Sequence, residues 1–376
     1  MKIKDAQKGG TKLVVVNSSE IQLVRQSGLW IDSTKGTNTL LLDILMKKFI
    51  ENGCTDQEFI NSRTEMFNDL KKKLEMMNLD EAIELINIDY EKFQQLYDLT
   101  KNKNSNIVFI YNPDSTREKS NNDLRAIGNF LLMTGRINKE NSGIILLRDN
   151  CNSAGLLDMG VNPNYLPGYV KQDELDEIER IGNKWGVNLN SIFKKVDLEN
   201  KMVRGEIKAA LIFGEDPLTS SVHRKFLSNL EFLLVSDSFY TDSVYEADVV
   251  LPARTYIEQD GTYTRCDHTL QKVNKFIDHG DITNLEIIEK LASRFVQGFK
   301  HKTTDEIFDE IKSVNKFYST IEIGKSWIED LTDNDIMQKK LKFSITKSDL
   351  TTFEAIKPVI HFPENYYVSN VKMQLV

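Results

Sequence analysis

The stretch AALIFGEDPLTSS (Ala209–Ser221) joins an apolar run to an acidic turn that is closed by a proline. The run AALIF is typical of a strand that is buried on both faces, as strands of parallel sheets are. The turn Gly214-Glu215-Asp216-Pro217 ends the strand, and the Thr and Ser residues after it can cap a helix. Because ligands of open parallel sheets bind beyond the carboxyl ends of the strands, this turn is a candidate for a binding role.

Strand patterns of the same kind lie on both sides of this turn. LEFLLVSDSF and YEADVVLPA follow it, and KLVVVN (Lys12–Asn17), NIVFIY (Asn106–Tyr111) and SGIILL (Ser142–Leu147) precede it. Helical patterns lie between them, among them KGTNTLLLDILMKKFIENG (Lys35–Gly53) and a block over residues 56–102 with apolar positions three or four apart. This alternation predicts an α/β protein with two doubly wound, Rossmann-like parallel-sheet domains.

The segment RDNCNSAGLLDMGVNPNYLPGY (Arg148–Tyr169) differs from its surroundings because it is rich in Asn, Gly and Pro. Ordered loops of this length usually have a function or act as crossovers, so we place a domain change here. The predicted domains are a first α/β domain over residues 1–150, a second over 151–290, and a helical and irregular C-terminal region over 291–376.

Two local patterns predict where helices begin and end near the N-terminus. DAQKGG indicates a short helix that ends at a glycine pair. Ser19 with Gln22 three residues later has the pattern of a capping box, which predicts a helix directly after the first strand.

The composition excludes several classes of protein. Lys and Arg number 48 against 56 Asp and Glu, a net charge of −8, and there is no basic block, so we expect no nucleic-acid partner. No stretch resembles a signal peptide or the ~20 apolar residues of a membrane span, which predicts a cytoplasmic protein without a membrane span. Cys54, Cys151 and Cys266 lie far apart and the five histidines are scattered, so no iron–sulfur cluster and no zinc site is expected in this chain.

Polar residues follow the predicted strands. They are Asn17-Ser18-Ser19, Asn112-Pro113-Asp114, Arg148-Asp149-Asn150, Gly214-Glu215-Asp216 and Ser236-Asp237-Ser238. Taken singly, each is most often an Asx turn or a helix cap. Together they could read the donor edge and the ribose hydroxyls of a nucleotide, as acidic residues do at dinucleotide sites. The sequence has no G-x-G-x-x-G and no Walker lysine loop, which argues against a simple NAD or ATP site.

The most specific pattern is VSDSFYTDSVYEADVVLPARTYIEQDGTYT (Val235–Thr264), which follows SAGLLDMGVNPNYLPGY and IFGEDPL in the chain. In this order the motifs resemble the molybdopterin-dependent oxidoreductases of the dimethyl sulfoxide reductase superfamily. The resemblance is closest to the catalytic subunits of formate dehydrogenases and to the large iron–sulfur subunit of respiratory complex I. It covers residues 1–300 or so.

The resemblance implies a cofactor, a molybdopterin guanine dinucleotide that carries molybdenum or tungsten. In the family, the loop that matches IFGEDPL lies against the guanosine end, and an acidic strand-end residue lies nearby. An arginine beside the metal could orient a small anion and stabilise developing charge. The matching residues are Arg148 as the catalytic residue and Gly214, Glu215, Asp216, Pro217, Asp237, Asn150 and Asn152 as cofactor-binding residues.

The chain also departs from the family pattern. Residues 17–19 lack the aspartate and arginine expected after the first strand, Asn38 replaces an acidic residue, and residues 267–268 replace a Glu-Arg pair. Residues 112–114 stand in place of a glycine-rich turn. Pro113 cannot donate a backbone N–H, and without glycines the backbone cannot approach a pyrophosphate closely. These departures argue against cofactor binding in the first half.

The family's N-terminal cluster and metal-ligand region and its C-terminal barrel have no counterpart in these 376 residues. One hypothesis is therefore a truncated or split formate dehydrogenase-like protein that binds the dinucleotide beside redox subunits carrying iron–sulfur clusters. Another is a non-catalytic, cofactor-free scaffold subunit of a larger electron-transfer complex, and a third is an unrelated α/β nucleotide-binding module. The sequence does not indicate the substrate, because the residues that would select it lie largely in the missing regions.

Overall fold

The structure is a computed structural model. It describes residues 2–113, 117–137, 139, 141–148, 150–193, 198–219, 224, 227–280, 282–296, 302–326 and 341–345. These residues form a mixed α/β protein with small parallel sheets. The chain divides into two compact units: the first holds the described residues up to Leu147 together with 341–345, and the second holds those from Arg148 to 326.

The first unit is mainly helical. Its helices are α1 (Lys2–Lys8), α2 (Asn38–Glu51), α3 (Gln57–Arg63), α4 (Phe67–Glu75), α5 (Leu79–Ile86), α6 (Tyr90–Thr100) and α7 (Arg117–Met133). Its strands are β1 (Val14–Val16), β2 (Leu29–Ile31), β3 (Thr64–Glu65), β4 (Val108–Tyr111), β5 (Gly143–Leu146) and, from the C-terminal part of the chain, β11 (Leu341–Lys342). The strands pair in parallel as β1 with β2, β4 with β5, and β3 with β11.

Most of the local predictions for the first unit are confirmed. The predicted strands at KLVVVN, NIVFIY and SGIILL and the helix over Lys35–Gly53 are present as β1, β4, β5 and α2. The capping-box prediction at Ser19 is wrong, because the Ser19 N–H donates to Asn17 Oδ1 at 3.3 Å in a local turn. The next helical residues are a single 3₁₀ turn at Val24–Gln26. The side chain of Asn17 therefore accepts the Ser19 N–H, which a capping box would pair with the side chain of Gln22.

The core of the first unit forms around α2, which is apolar on most of its surface. Its Phe49 is fully buried and makes edge-to-face contacts with Tyr97 and Phe130, with ring centroids 5.5 and 5.2 Å apart. Aromatic pairs of this kind contribute ~1 kcal/mol beyond their buried area. Helix α7 packs along α2 and presents Phe130 to this cluster.

The second unit holds the larger sheet. Its helices are α8 (Ser153–Asp158), α9 (Leu175–Trp185), α10 (Leu189–Ile192), α11 (Leu198–Val203), α12 (Asp242–Tyr245), α13 (Asn284–Phe295) and α14 (Thr304–Val314). Its strands are β6 (Ala209–Phe213), β7 (Phe232–Asp237), β8 (Val249–Pro252), β9 (Gly261–Thr264) and β10 (Leu270–Val273). Strands β6, β7 and β8 form a parallel sheet in that order, and β9 and β10 form an antiparallel hairpin.

The parallel sheet confirms the three strands that were predicted around GEDP and ADVVLP. Leu233 and Val235 of β7 and Val244 of α12 are buried in a cluster on one face of the sheet. The β9–β10 hairpin was not predicted, because GTYT and LQKV are short and carry no continuous apolar run. The sequence also predicts a helix at SVHRKFLSNL (Ser221–Leu230), and half of these residues lie outside the described part of the chain.

Candidate functional site

The acidic turn Gly214–Pro217 lies at the carboxyl edge of the β6–β7–β8 sheet. The Gly214 N–H donates to Ser236 O at 2.8 Å, so the turn starts where the strand ladder ends. Asp237 is the last residue of β7 and is paired with Pro252 of β8. Because β6 and β7 run parallel, the structure brings the turn and Asp237 to the same edge of the sheet.

The backbone at the start of the turn suits glycine. Gly214 has φ +62°, a left-handed conformation that a side chain disfavours. No atom would lie within 4 Å of a Cβ at this position, so glycine is needed here for its conformation and the space beside it is open. Pro217 begins a 3₁₀ turn, Pro217–Thr219, whose Leu218 is buried and so fixes the far end of the loop.

Asp216 is engaged in a structural contact. Its Oδ1 accepts hydrogen bonds from the hydroxyl of Ser243 at 2.6 Å and from the N–H of Ser243 at 3.2 Å. Ser243 lies in the first turn of the short helix α12, so a negative charge here satisfies a helix N–H group. Asp237 Oδ1 accepts the N–H of Phe239 at 2.9 Å, so the acceptors at this edge that remain for a ligand are mainly the carboxylate of Glu215 and Oδ2 of Asp237.

Burial and neighbouring negative charge raise the pKa of two carboxylates at this edge, Glu215 and Asp237. For Glu215, loss of solvent is the largest cause, and the charges of Asp216 and Asp237 add to it, so the pKa lies above its usual value. Glu215 as a whole residue is exposed, so a ligand can reach it. Burial also raises the pKa of Asp237, helped by Asp216 and opposed by the N–H groups of Phe239 and Ser238. A ligand that donates hydrogen bonds would relieve this repulsion.

Arg148, Asn150 and Asn152 lie together at the start of the second unit. Arg148 is exposed, and its charge acts on Tyr169, whose pKa it lowers against larger opposing effects. Asn152 Oδ1 accepts the N–H of Thr264 at 2.9 Å, and the carbonyl of Asn150 accepts the N–H of Ser153 at 3.2 Å. Among the hydrogen bonds and ion pairs of the described residues, none joins this segment to the acidic turn.

A buried network around Asp158 follows the Arg148 segment and was not predicted. Asp158 is fully buried, and its carboxylate accepts the hydroxyls of Tyr169 and Tyr318, each at 2.7 Å. His268 Nδ1 lies 3.8 Å from Asp158 Oδ2, an ion-pair distance and longer than a hydrogen bond. Burial alone would raise the pKa of Asp158, but its contacts with His268, Tyr169 and Tyr318 outweigh burial and lower it. The network fixes the loop that begins at Arg148.

The sequence contains a partial signal for this network in LDMGVNPNYLPGY. Gly160 has φ +73°, and a Cβ there would lie 2.6 Å from the backbone N of Pro167, so only glycine fits. Asn315 is fully buried and donates from Nδ2 to the carbonyl of Asp158 at 2.7 Å. Glycine spacing thus indicates a tight loop that contains Tyr169, but the other partners of Asp158, namely His268, Asn315 and Tyr318, lie more than a hundred residues away and leave no local pattern.

Two further observations concern metals and membranes. Cys54, Cys151 and Cys266 are free thiols. In the part of the chain that the structure describes, no three His, Cys, Asp or Glu side chains lie close enough together to hold a metal ion. None of the described helices is both long enough and apolar enough to cross a bilayer.

Small parallel sheets with polar strand ends place the chain in the class of mixed α/β proteins. It belongs to the molybdopterin oxidoreductase family, whose model matches residues 2–294. The resemblance predicted from the motifs is thereby confirmed. The family implies a molybdopterin cofactor.

The relatives include formate dehydrogenases. The chain is 29% identical over 336 residues to a formate dehydrogenase alpha subunit of Methanococcus maripaludis, a match covering 87% of this chain and 49% of the relative. It is 27% identical over 317 residues to formate dehydrogenase H of Escherichia coli, covering 82% of this chain and 44% of the relative. The chain therefore spans about half the length of the curated relatives it matches.

A solved structure shares the fold. Acetylene hydratase from Pelobacter acetylenicus matches with a TM-score of 0.60 at 16% identity, over 85% of this chain and 48% of that protein. At this level of identity the similarity concerns the fold alone. Like the matches to the two formate dehydrogenases, this match covers only about half of the longer protein.

Proposed function

We propose that this chain is a formate dehydrogenase-like oxidoreductase component that binds the guanosine end of a molybdopterin guanine dinucleotide in its second unit. The observation that carries the proposal is the pair of carboxylates, Glu215 and Asp237, at the carboxyl edge of the β6–β7–β8 sheet. The proposal also keeps the predicted division into two Rossmann-like domains over residues 1–150 and 151–290, followed by a C-terminal region over 291–376.

The residues at this edge suit a guanine base. Guanine carries an amino donor that adenine lacks at the same position, and it also carries the adjacent ring N–H, so a carboxylate can accept from both groups. Glu215 and Asp237 have raised pKa values because like charges and burial oppose their ionisation, and N–H donors would compensate both effects. The open space beside Gly214 leaves room for a ligand to approach the backbone. The acidic turn therefore fits this end of the cofactor.

When bound, the metal pterin supplies the two-electron redox chemistry, and the protein supplies binding and orientation. Arg148 offers a fixed cation to a small anionic substrate such as formate, because a guanidinium pairs with a carboxylate through two parallel hydrogen bonds. Asn150 and Asn152 belong to the cofactor side of the same segment. The hydrogen bond from Thr264 to Asn152 holds that segment against the end of β9.

Electrons from such a reaction need an exit. The relative from Methanococcus maripaludis is by name an alpha subunit, which implies that it works with others. For this chain we propose partner subunits as well, and we propose that they are redox subunits that carry iron–sulfur clusters.

A cofactor-free scaffold is the second candidate. It is favoured by the first unit, where Asn17 is used in a local turn with Ser19 and Pro113 occupies the position of a glycine-rich turn. A scaffold keeps the family fold but needs no ligand at the strand ends. The two candidates differ at the acidic turn of the second unit: the first predicts that the dinucleotide is bound there in the cell, and the scaffold predicts that it is not.

The test is to express the full chain in a host that makes the dinucleotide, and to measure molybdenum, tungsten and acid-released GMP per chain. We expect bound GMP in the wild type and a loss of about tenfold or more in Asp237→Asn and in Glu215→Gln, since a hydrogen bond to a charged group contributes about 1.5–3 kcal/mol. Glu246→Gln is the matched control, because Glu246 is an exposed carboxylate beside α12. Absence of GMP and metal from the wild type would favour the scaffold, and equal GMP in Asp237→Asn would contradict the proposed site.

A further inference from the structure

The N-terminus of helix α2, in the first unit, contacts a buried carboxylate of the same unit. Asp123, on α7, has only 5% of its surface exposed. Its Oδ1 accepts the hydroxyl of Thr39 at 2.5 Å, and its Oδ2 accepts the amide of Asn38 at 3.0 Å. Asn38 and Thr39 are the first two residues of α2, a helix of 14 residues. A negative charge is thus built into the first turn of this helix.

The end of strand β4 contributes to the same cluster. Tyr111, the last residue of β4, is buried and donates its hydroxyl to Asp123 Oδ2 at 3.0 Å. Pro113 follows two residues later and has no N–H to offer a ligand. The hydroxyl of Tyr111 at this strand end therefore contacts an internal carboxylate, whereas at the strand end of the second unit Glu215 is exposed.

The position matters because helix N-termini are natural anion sites. The helix dipole and the first N–H groups favour a negative group, and dinucleotide-binding folds use this point for a pyrophosphate. In the first unit the carboxylate of Asp123 already supplies that charge. A pyrophosphate at the same helix end would place further negative charges next to a buried carboxylate, where little solvent screens the repulsion.

We infer that the N-terminus of α2 in the first unit does not bind a nucleotide phosphate, and that Asp123 acts there as an internal replacement for one. Of these two places among the described residues, only the acidic turn of the second unit then remains as a nucleotide-binding edge. That the acidic turn binds a nucleotide rests on the proposed function, whereas the inference about α2 rests on the contacts of Asp123 alone.

The test is hydrogen–deuterium exchange on the full chain with inorganic pyrophosphate and, separately, with GDP. In the wild type, we expect neither probe to change exchange in peptides that cover the first turn of α2. In Asp123→Asn, which keeps the side-chain shape and removes the charge, we expect pyrophosphate to slow exchange there by about fivefold or more. Asp69→Asn, which alters an exposed carboxylate on α4 of the same unit, is the matched control and should behave as the wild type.

Protection of the first turn of α2 by either probe in the wild type would overturn the inference. So would Asp123→Asn that folds and gains no protection, because the carboxylate would then not be what closes the site. If Asp123→Asn fails to fold, the wild-type measurement alone decides. Protection of residues 214–217 by GDP reports separately on the proposed function, so either result can fail without the other.

Discussion

Gly160 shows at the scale of a single residue why the loop after Arg148 has its sequence. Its left-handed φ and the backbone of Pro167 both exclude a side chain. We predict that Gly160→Ala lowers the free energy of unfolding by about 3 kcal/mol or more, because strain and a backbone clash add. Gly186→Ala is the control: it has φ +68° with open space, so strain alone should cost about 1 kcal/mol. Urea unfolding of both variants measures this, and equal losses would contradict it.

Asp158 makes stability depend on pH with a definite sign. Its folded pKa lies below the unfolded value of 3.8, so its contribution is complete above that pH and is lost as pH falls through the folded pKa. We predict that the difference in unfolding free energy between wild type and Asp158→Asn is largest near neutral pH and shrinks in acid. Denaturant unfolding at a series of pH values checks this. A difference that stays constant into acid would contradict it, and Asp176→Asn, an exposed control, should show almost none.

At the scale of elements, Arg136 stabilises the end of helix α6. It is 1% exposed and donates to the carbonyls of Thr100, Asn102 and Ser105 at 2.7–3.1 Å. A cation there satisfies carbonyls that the helix end leaves without partners. Burial lowers the pKa of Arg136, although a guanidinium remains charged at neutral pH.

We therefore predict that Arg136→Met lowers the free energy of unfolding by about 2–4 kcal/mol, since it removes the buried donor of three carbonyls. Arg125→Met, on the exposed surface of α7, should change it by less than about 0.5 kcal/mol. Thermal or urea unfolding provides the comparison. Similar stability of the two variants would show that the carbonyls find other partners.

Elements were predicted better than contacts. The helix α2 is visible in the sequence because burial of one face requires apolar residues at helical spacing. The strand β7 is visible because burial of both faces requires a continuous apolar run. The start of a helix after Asn17 was predicted wrongly, because a single side-chain hydrogen bond decided it. The β9–β10 hairpin was missed for a similar reason, since short strands carry little pattern.

At the scale of the whole molecule, a segment from the C-terminal part of the chain belongs to the first unit. Strand β11 pairs with β3, and Phe343 is 2% exposed, with its ring 5.3 Å from that of Phe67. Asn129 adds two hydrogen bonds to the backbone of Ser344, at 2.7 and 2.9 Å. The first unit is therefore built from two separate parts of the sequence.

We predict that Phe343→Ala lowers the free energy of unfolding by about 3–4 kcal/mol, as expected for truncation of a buried phenylalanine. Hydrogen exchange should quicken in α4 and β3 and remain unchanged in β6 and β7, because those strands belong to the second unit. Ile345→Ala, 53% exposed, is the control. Faster exchange in both units alike would contradict the assignment of this segment to the first.

The sequence by itself determined the α/β class, most strands and helices, the family, and the acidic turn with Asp237 as a candidate binding edge. These depend on the regular spacing of apolar residues and on motifs, and both can be recognised from residues that are close together in the sequence. Only the tertiary structure decided that Asp216 is held by Ser243, that Asp158 is buried among Tyr169, Tyr318 and His268, and that Asp123 closes the first turn of α2. The physical reason is that a buried carboxylate is stabilised by donors that folding brings to it, and those donors can come from any distance in sequence.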